Sequence, residues 1–571
     1  MSSYLKQGRA IKSRASRPKK RKSHGNRYSE KSNEALEDNA TANKILSANA
    51  DDVVVKLNHF YRIIEFVSVF AAIQEFVICR NCKNNINFYE TSPRGLGFKI
   101  AARCGCGTRF INSGPMINNG FEINRRIVLV MRLLGVGLQG LNLFCNMMDI
   151  GKGMCQDTYS VINHLYNAAK IVFDAMCLRV VQQEKKENEK REKLCSNFTV
   201  SGDGSWKKRG FTSLYGVTTL IAHYSGKVID FVVKSSVCKV CDRKNKNDED
   251  YIEWFEQHQQ EYSLNHVGSA GKMEVDAIKE MFSASEEKFG VRYLNYIGDG
   301  DSKTYKAILD LNPYGDDFPV TKSECVNHVE KRMGTRLRNV KKDQKLGGKG
   351  KLTTDSLIKK LTKYYGLAIM RNTDSVEGMK KSIMAIYLHS ISTNENPRHE
   401  NCPEAEDSWC KYRRTQNLNQ KYEHPAPLHK DVAKAILPIF EDLSREDLLQ
   451  RCLGGHAQNA NESFNVTVWR LAPKHLNSGR KIIEIASYIA AGIFNEGYLS
   501  VLRIMDGMGL VIGSVCRNFA SKQDETRMNA RKRRSRSFSR ISRLIQKAKL
   551  QSENEMHEEA EGLLYGPGIA D

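Results

Sequence analysis

Phe198-Thr199-Val200-Ser201-Gly202-Asp203-Gly204-Ser205-Trp206 is the stretch on which the reading of this chain turns. It has the strand-like pattern of a buried run and closes on an acid between two glycines. Tyr296-Ile297-Gly298-Asp299-Gly300-Asp301 follows the same plan, after a short apolar run that starts at Tyr293. A third acid, Glu462, stands in Gln458-Asn459-Ala460-Asn461-Glu462-Ser463-Phe464-Asn465, where a helical block running from Asn461 to Leu502 begins. Carboxylates at two strand ends and on a facing helix suit two-metal phosphoryl transfer, which needs metals roughly 3.5–4 Å apart at the attacking and leaving oxygens. The glycines beside the aspartates are expected to let a DNA backbone approach. Each acid also has a plainer role. Asp-Gly is a common hairpin turn, Asn459-x2-Glu462 fits a helix capping box, and Asp301 competes with Asp299. Neither Gly298-Asp-Gly-Asp-Ser-Lys303 nor Gly268-Ser-Ala-Gly-Lys272 has the glycine and Ser/Thr positions of a phosphate-binding P-loop.

Outward from these motifs the chain divides by pattern. Residues 1–50 form a basic tail poor in large apolar residues, expected to be disordered. Residues 51–120 are β-rich around four cysteines, and 121–196 are helical. Strands alternate from Asn197 to Val237, with Ser225-Gly226 as a hairpin turn, and a helix is expected over Ile278 to Phe289. Residues 197–335 read as strands with helices and 456–515 as a closing helical block. The lysine-rich helical stretch 336–455 lies between them, and 516–571 is a charged tail.

Cys79-x2-Cys82 and Cys104-x-Cys106 are two knuckles of a tetrahedral thiolate site, with Gly105 and Gly107 permitting the tight turn. This predicts a zinc ribbon whose zinc is structural. Cys238-x2-Cys241 is a further knuckle, with His258 and His266 at plausible distance and no evident fourth ligand. Cys325-x2-His328 is either half of another site, completed by His399, Cys402 or Cys410, or a packed pair near the acids.

The chain has 571 residues, with 88 Lys plus Arg against 65 Asp plus Glu, a formal charge of +23. Such an excess points to a polyanionic partner, nucleic acid before others. Arg17-Pro18-Lys19-Lys20-Arg21-Lys22 is a cluster of the kind nuclear import receptors read, so the nucleus is the expected compartment. Lys207-Lys208-Arg209, just past the first acid, is placed to meet phosphate. Gly135 to Met148 and Gln156 to Ala168 suit either a helix-turn-helix-like unit or ordinary core packing. The apolar runs Ile63 to Val77 and Ile127 to Leu143 are broken by polar residues, so no membrane span is expected and both are read as buried. With no signal-peptide core, the 15 cysteines are expected to be reduced metal ligands or packed residues.

Taken together, from about Cys79 to Gly513, these stretches resemble the Mutator-like transposases of animal DNA transposons. The most specific motifs are Tyr296-Ile-Gly-Asp-Gly-Asp-Ser-Lys303, Glu324-Cys-Val-Asn-His-Val-Glu-Lys-Arg-Met-Gly-Thr-Arg336 and Gln458-Asn-Ala-Asn-Glu-Ser-Phe-Asn465. The resemblance implies that 197–335 and 456–515 are two parts of one RNase H-like α/β core, a mixed sheet flanked by helices. It implies Asp203, Asp299 and Glu462 as magnesium (or manganese) ligands, with a helical insertion before the glutamate. It also implies a Cys-x2-His at Cys325 and His328, double-stranded DNA as partner (terminal inverted repeats and target), and assembly as a homo-oligomer. The activity implied is hydrolysis at transposon ends followed by strand transfer; the alternative is a domesticated DNA-binding descendant. The sequence departs from the family at Tyr262, where a cysteine is expected, which touches only the second zinc site.

Overall fold

Around the first cysteine pairs the chain forms a three-stranded antiparallel sheet from β2 (Asn87–Arg94), β3 (Gly97–Cys104) and β4 (Gly107–Asn112). The structure, a computed structural model, describes residues 44–45, 53–208, 212–245, 250–259, 262–298, 302–346, 355–404, 410–417 and 422–535. Short β1 (Val55–Lys56) leads into this module, and β5 (Met116–Ile117) pairs with β6 (Gly120–Phe121) at its exit. Helix α1 (Phe66–Phe76) rests on the sheet through Phe66 and Phe70, whose rings meet Phe98 and Phe88. The run Ile63 to Val77 is not buried as expected. No residue of α1 is buried, and Val67 and Phe76 are 70% and 84% exposed, because three short strands cannot cover more than one side of a helix.

Three longer helices follow, α2 (Glu122–Leu133), α3 (Leu138–Met147) and the 28-residue α4 (Ile162–Glu189), with a one-turn helix over Gln156–Tyr159 before the last. Val128 and Leu129 of α2, Leu141 of α3 and Leu165, Ala169 and Phe173 of α4 all enter the main apolar core. One face of the region Gly135 to Ala168 thus packs into the core, while Leu143 and Met147 of α3 stay exposed. Its second expected helix is divided between the one-turn helix, Gln156–Tyr159, and the start of α4 at Ile162. Among the described residues no single helix is long and apolar enough to cross a membrane; α2 and α3 pass that test only as a pair bent by 110°.

The central sheet contains β7 (Asn197–Trp206), β8 (Tyr215–Ala222), β9 (Val228–Ser235), β10 (Arg292–Gly298) and β11 (Thr321–Glu324). The first three pair antiparallel, β9 returning through the expected turn, where Gly226 takes φ +61°. Helices α5 (Tyr251–His258) and α6 (Ala270–Ser283) then carry the chain across to β10, which joins the free edge of β7 in parallel. Helix α7 (Ser302–Leu311) leads to β11, parallel beside β10, and the order is β11-β10-β7-β8-β9.

Between β11 and the last core helices lies a second apolar core, built by α8 (Val326–Asp343), α9 (Asp355–Met370), α10 (Val376–Ile391) and α11 (Lys430–Asp442). It is the expected helical insertion, and it opens at Val326 rather than 336. The chain re-enters the main core through α12 (Asn459–Leu471), α13 (Arg480–Glu496) and α14 (Leu499–Gly507). β12 (Ile512–Gly513) pairs in parallel with β1. Buried Glu122 reinforces this junction, accepting from Tyr61, Arg126 and the Val511 N–H. Residues 514–535, whose composition reads as the beginning of a tail, form helix α15 (Ser514–Ser535); Ala520 packs on the core and the Asp524 carboxylate accepts from the Tyr498 N–H.

Candidate functional site

Residues alternate across a strand, so Ser201, Asp203 and Ser205 face one side of β7 and Gly202, Gly204 and Trp206 the other. On the first side lies α12, joined to β7 by a row of hydrogen bonds. The Gln458 amide donates to the Gly202 carbonyl at 2.6 Å, and Asn461 donates to the Ser201 carbonyl while accepting from its hydroxyl. The Asn465 amide donates to Asp203 Oδ2 at 2.7 Å, and Trp469 Nε1 donates to Ser205 Oγ. Spacings of three and four place these side chains on one helical face. Glu462 is exposed and follows Asn461 directly; at 100° per residue it lies about 60° around the helix from Asn465. The helix carrying Glu462 is thus bonded directly to the Asp203 carboxylate. Asn465 Oδ1 and Gln458 Oε1 are buried with no hydrogen-bond partner, adding two oxygens to this edge.

The glycines serve packing. A Cβ on Gly202 would fall 2.5 Å from the Tyr296 ring, and one on Gly204 would fall 2.6 Å from the Glu274 carboxylate. They leave room for the Tyr296 ring and for Glu274 of α6 on the face of the sheet opposite Asp203.

β10 runs parallel to β7 with Ile297 beside Ser201, so Gly298, its last residue, ends at the same sheet edge as Asp203. Asp299, Asp301 and Arg209 lie outside the described residues. Cys325 is fully buried and binds this end together: its N–H donates to the Gly298 carbonyl, and its neighbour Val326 donates to the His456 carbonyl. Burial pushes the Cys325 thiol up, but hydrogen bonds from His328 and the Gln458 N–H outweigh it and hold the thiol below its usual range. Cys325 and His328 therefore join the end of β10 to the start of α12. They belong to no cluster with His399, Cys402 or Cys410, so the packed pair is the reading that stands.

Lys207 is not available to phosphate. Its side chain is buried and its ammonium donates to the Ser478 carbonyl, and burial, with Lys239 and Lys208 nearby, lowers its pKa to about 8. Lys208 alone of the described residues in that basic triplet is exposed.

The sulfurs of Cys79, Cys82, Cys104 and Cys106 lie within 4.8 Å of one another. Cys79 and Cys106 are 3.9 Å apart, close to the separation of about 3.8 Å for two thiolates on one tetrahedral zinc. N–H groups of Cys82 and Asn81 aim at the Cys79 sulfur and lower its pKa to about 6. These four residues fit zinc. Cys238, Cys241 and His258 also converge, with Cys238 Sγ 3.2 Å from His258 Nε2. His266 does not join them; its ring meets Asp276 and the Ser269 carbonyl. A third group, His389, His399, Cys402 and Cys410, comes together inside the insertion.

A family model described as Mutator-like transposase matches residues 60–410. The chain belongs to this family. The match takes in most of the four-cysteine module, the five sheet strands and most of the insertion, and it ends before the helix of Glu462. No curated protein matches the sequence. For a Mutator-like transposase chain the part that sequence reasoning missed is the amide row of Gln458, Asn461 and Asn465. Its signal was present as side-chain amides recurring at helical spacing, at 458, 461 and 465, beside the apolar Phe464, Val468 and Leu471.

Proposed function

We propose that this chain is a DNA transposase with an RNase H-like core, in which Asp203, Asp299 and Glu462 hold magnesium or manganese. The observation that carries the reading is the Asn465–Asp203 hydrogen bond, which fixes the helix of Glu462 against the strand of the first acid. The sheet order β11-β10-β7-β8-β9, with helices on both faces, supports it as the arrangement of an RNase H-like core. So does the insertion, which falls between the second acid and the third. Carboxylates such as Asp203 and Glu462 offer the oxygen donors that a hard divalent cation prefers. When bound, such cations activate the attacking oxygen and stabilise the leaving one.

The protein's own part is to position. Asn465 orients Asp203, and Cys325 with His328 sets the end of β10 against α12. Hydrolysis breaks a P–O bond at the element's end with water as nucleophile; in strand transfer the freed 3′-hydroxyl oxygen replaces a target-strand oxygen on phosphorus. Lys208 and Arg209 contact phosphate, and the zinc-ribbon module supplies a second DNA-facing surface. Two ends cut together imply a homo-oligomer on DNA, and the Arg17 to Lys22 cluster directs the chain to the nucleus.

Labelled oligonucleotides copied from the ends of the encoding element test this reading. With magnesium the unaltered chain should give cleaved and strand-transfer products. Asp203→Asn and Glu462→Gln should each abolish both while leaving DNA retention in gel shifts nearly unchanged. Tight binding with no product from the unaltered chain would instead favour a domesticated DNA-binding descendant.

A further inference from the structure

The long connection between α10 and α11, residues 392–429, raises a question of stability. Between Ile391 and Leu428, no described residue belongs to the apolar core of the insertion. Cys402 and Cys410 instead form a separate small cluster with Ala385 of α10, against which Tyr412 packs. Apart from a short helix, Lys411–Asn417, the described part of this connection is irregular, and a segment with so little apolar burial needs another source of order.

We propose that His389, His399, Cys402 and Cys410 bind a structural zinc ion that staples this connection to α10. His389 Nδ1 and His399 Nδ1 are 3.1 Å apart. Cys402 Sγ lies 3.9 and 3.6 Å from these two nitrogens, and Cys410 Sγ lies 3.8 and 3.4 Å from them. With zinc about 2.3 Å from sulfur and about 2.0 Å from nitrogen, a tetrahedron has edges of about 3.3 Å for N–N and about 3.5 Å for N–S. The observed edges are within a few tenths of an ångström of that figure. Four ligands leave no position open for water, so the role is structural.

The surrounding hydrogen bonds fix the protonation that a metal requires. Asn394 Oδ1 accepts from the His424 N–H at 2.9 Å, so that atom is the acceptor of the amide. His424 Nδ1, 2.7 Å from the same oxygen, must then be the donor. In the neutral ring this leaves His424 Nε2 an acceptor, and its partner at 2.9 Å is His399 Nε2, which therefore carries a hydrogen. The lone pair of neutral His399 then sits on Nδ1, facing the two sulfurs. Such outer bonds orient metal-binding histidines. The Arg413 N–H points at Cys410 Sγ at 3.5 Å, and its guanidinium donates to the His399 carbonyl.

Zinc content of the purified full chain tests the proposal. Cys402→Ser with Cys410→Ser should lower bound zinc by one equivalent against the unaltered chain, whereas Cys402→His, which keeps a ligand, should retain it. Unchanged zinc in the double variant overturns the site. In the unaltered chain, 1,10-phenanthroline should make Cys402 and Cys410 reactive to iodoacetamide while Cys145 and Cys177, buried in the main core, stay protected. Labelling of the pair that does not respond to the chelator overturns the proposal even where the double variant fails to fold.

Discussion

Asn465 spends its amide on one oxygen of Asp203, and that single bond relates a strand residue to a helix more than two hundred positions away. A hydrogen bond to a charged group contributes about 1.5–3 kcal/mol, so Asn465→Ala should slow strand cleavage by roughly 10- to 150-fold. Circular dichroism and DNA retention should stay near those of the unaltered chain; loss of the fold would contradict a positioning role. A second expectation concerns His223 and His456, whose rings meet at 4.7 Å. Burial first, then His456, Lys193 and Arg191, holds His223 down to about 4, and burial with Lys193 lowers His456. The unfolded chain binds protons here that the folded chain refuses. The stability they contribute is full above the ordinary value of 6.5 and is lost as the pH falls toward 4. Each unit of descent costs up to about 1.4 kcal/mol per ring. Denaturant midpoints should drop between pH 7 and 5, and less so for His223→Asn. Residue identity alone marked Asp203 and Glu462 as candidates, since acids beside glycine or at a helix start stand out. It misled at Lys207, whose charge looks exposed until Ser478, far along the chain, is seen to receive it.

At the scale of elements, β7 to β10 were legible because they alternate or run apolar between turn residues, and Ser225-Gly226 sits where the chain reverses. β11, Thr321-Lys322-Ser323-Glu324, carries neither pattern. The convergence of Cys79, Cys82, Cys104 and Cys106 was legible because both knuckles are local. The insertion cluster was not, since His389 lies on a helix and meets His399, Cys402 and Cys410 only after the connection folds back. Helix α1 escaped the reading for the opposite reason: its apolar sequence says what ought to be covered, while the small sheet beneath it covers one side. Cys79→Ser should release the ribbon zinc and open residues in 53–120 to proteolysis. The core has its own apolar cluster, so its unfolding midpoint should move little. A parallel collapse of the core would contradict that independence.

For the whole molecule, one sheet edge receives the ends of β7 and β10, and the insertion returns the chain as α12 onto β7. That return is the step no local pattern discloses, because the insertion has a core of its own and gives no sign of where it delivers the next helix. The basic excess of +23 suits the DNA binding that the family implies. Crystals soaked in manganese test the central claim without any knowledge of the cognate DNA. The account predicts anomalous manganese density bounded by the Asp203 and Glu462 carboxylates, lost in Asp203→Asn. Manganese absent from that edge at millimolar concentration, with both carboxylates ordered, would contradict it.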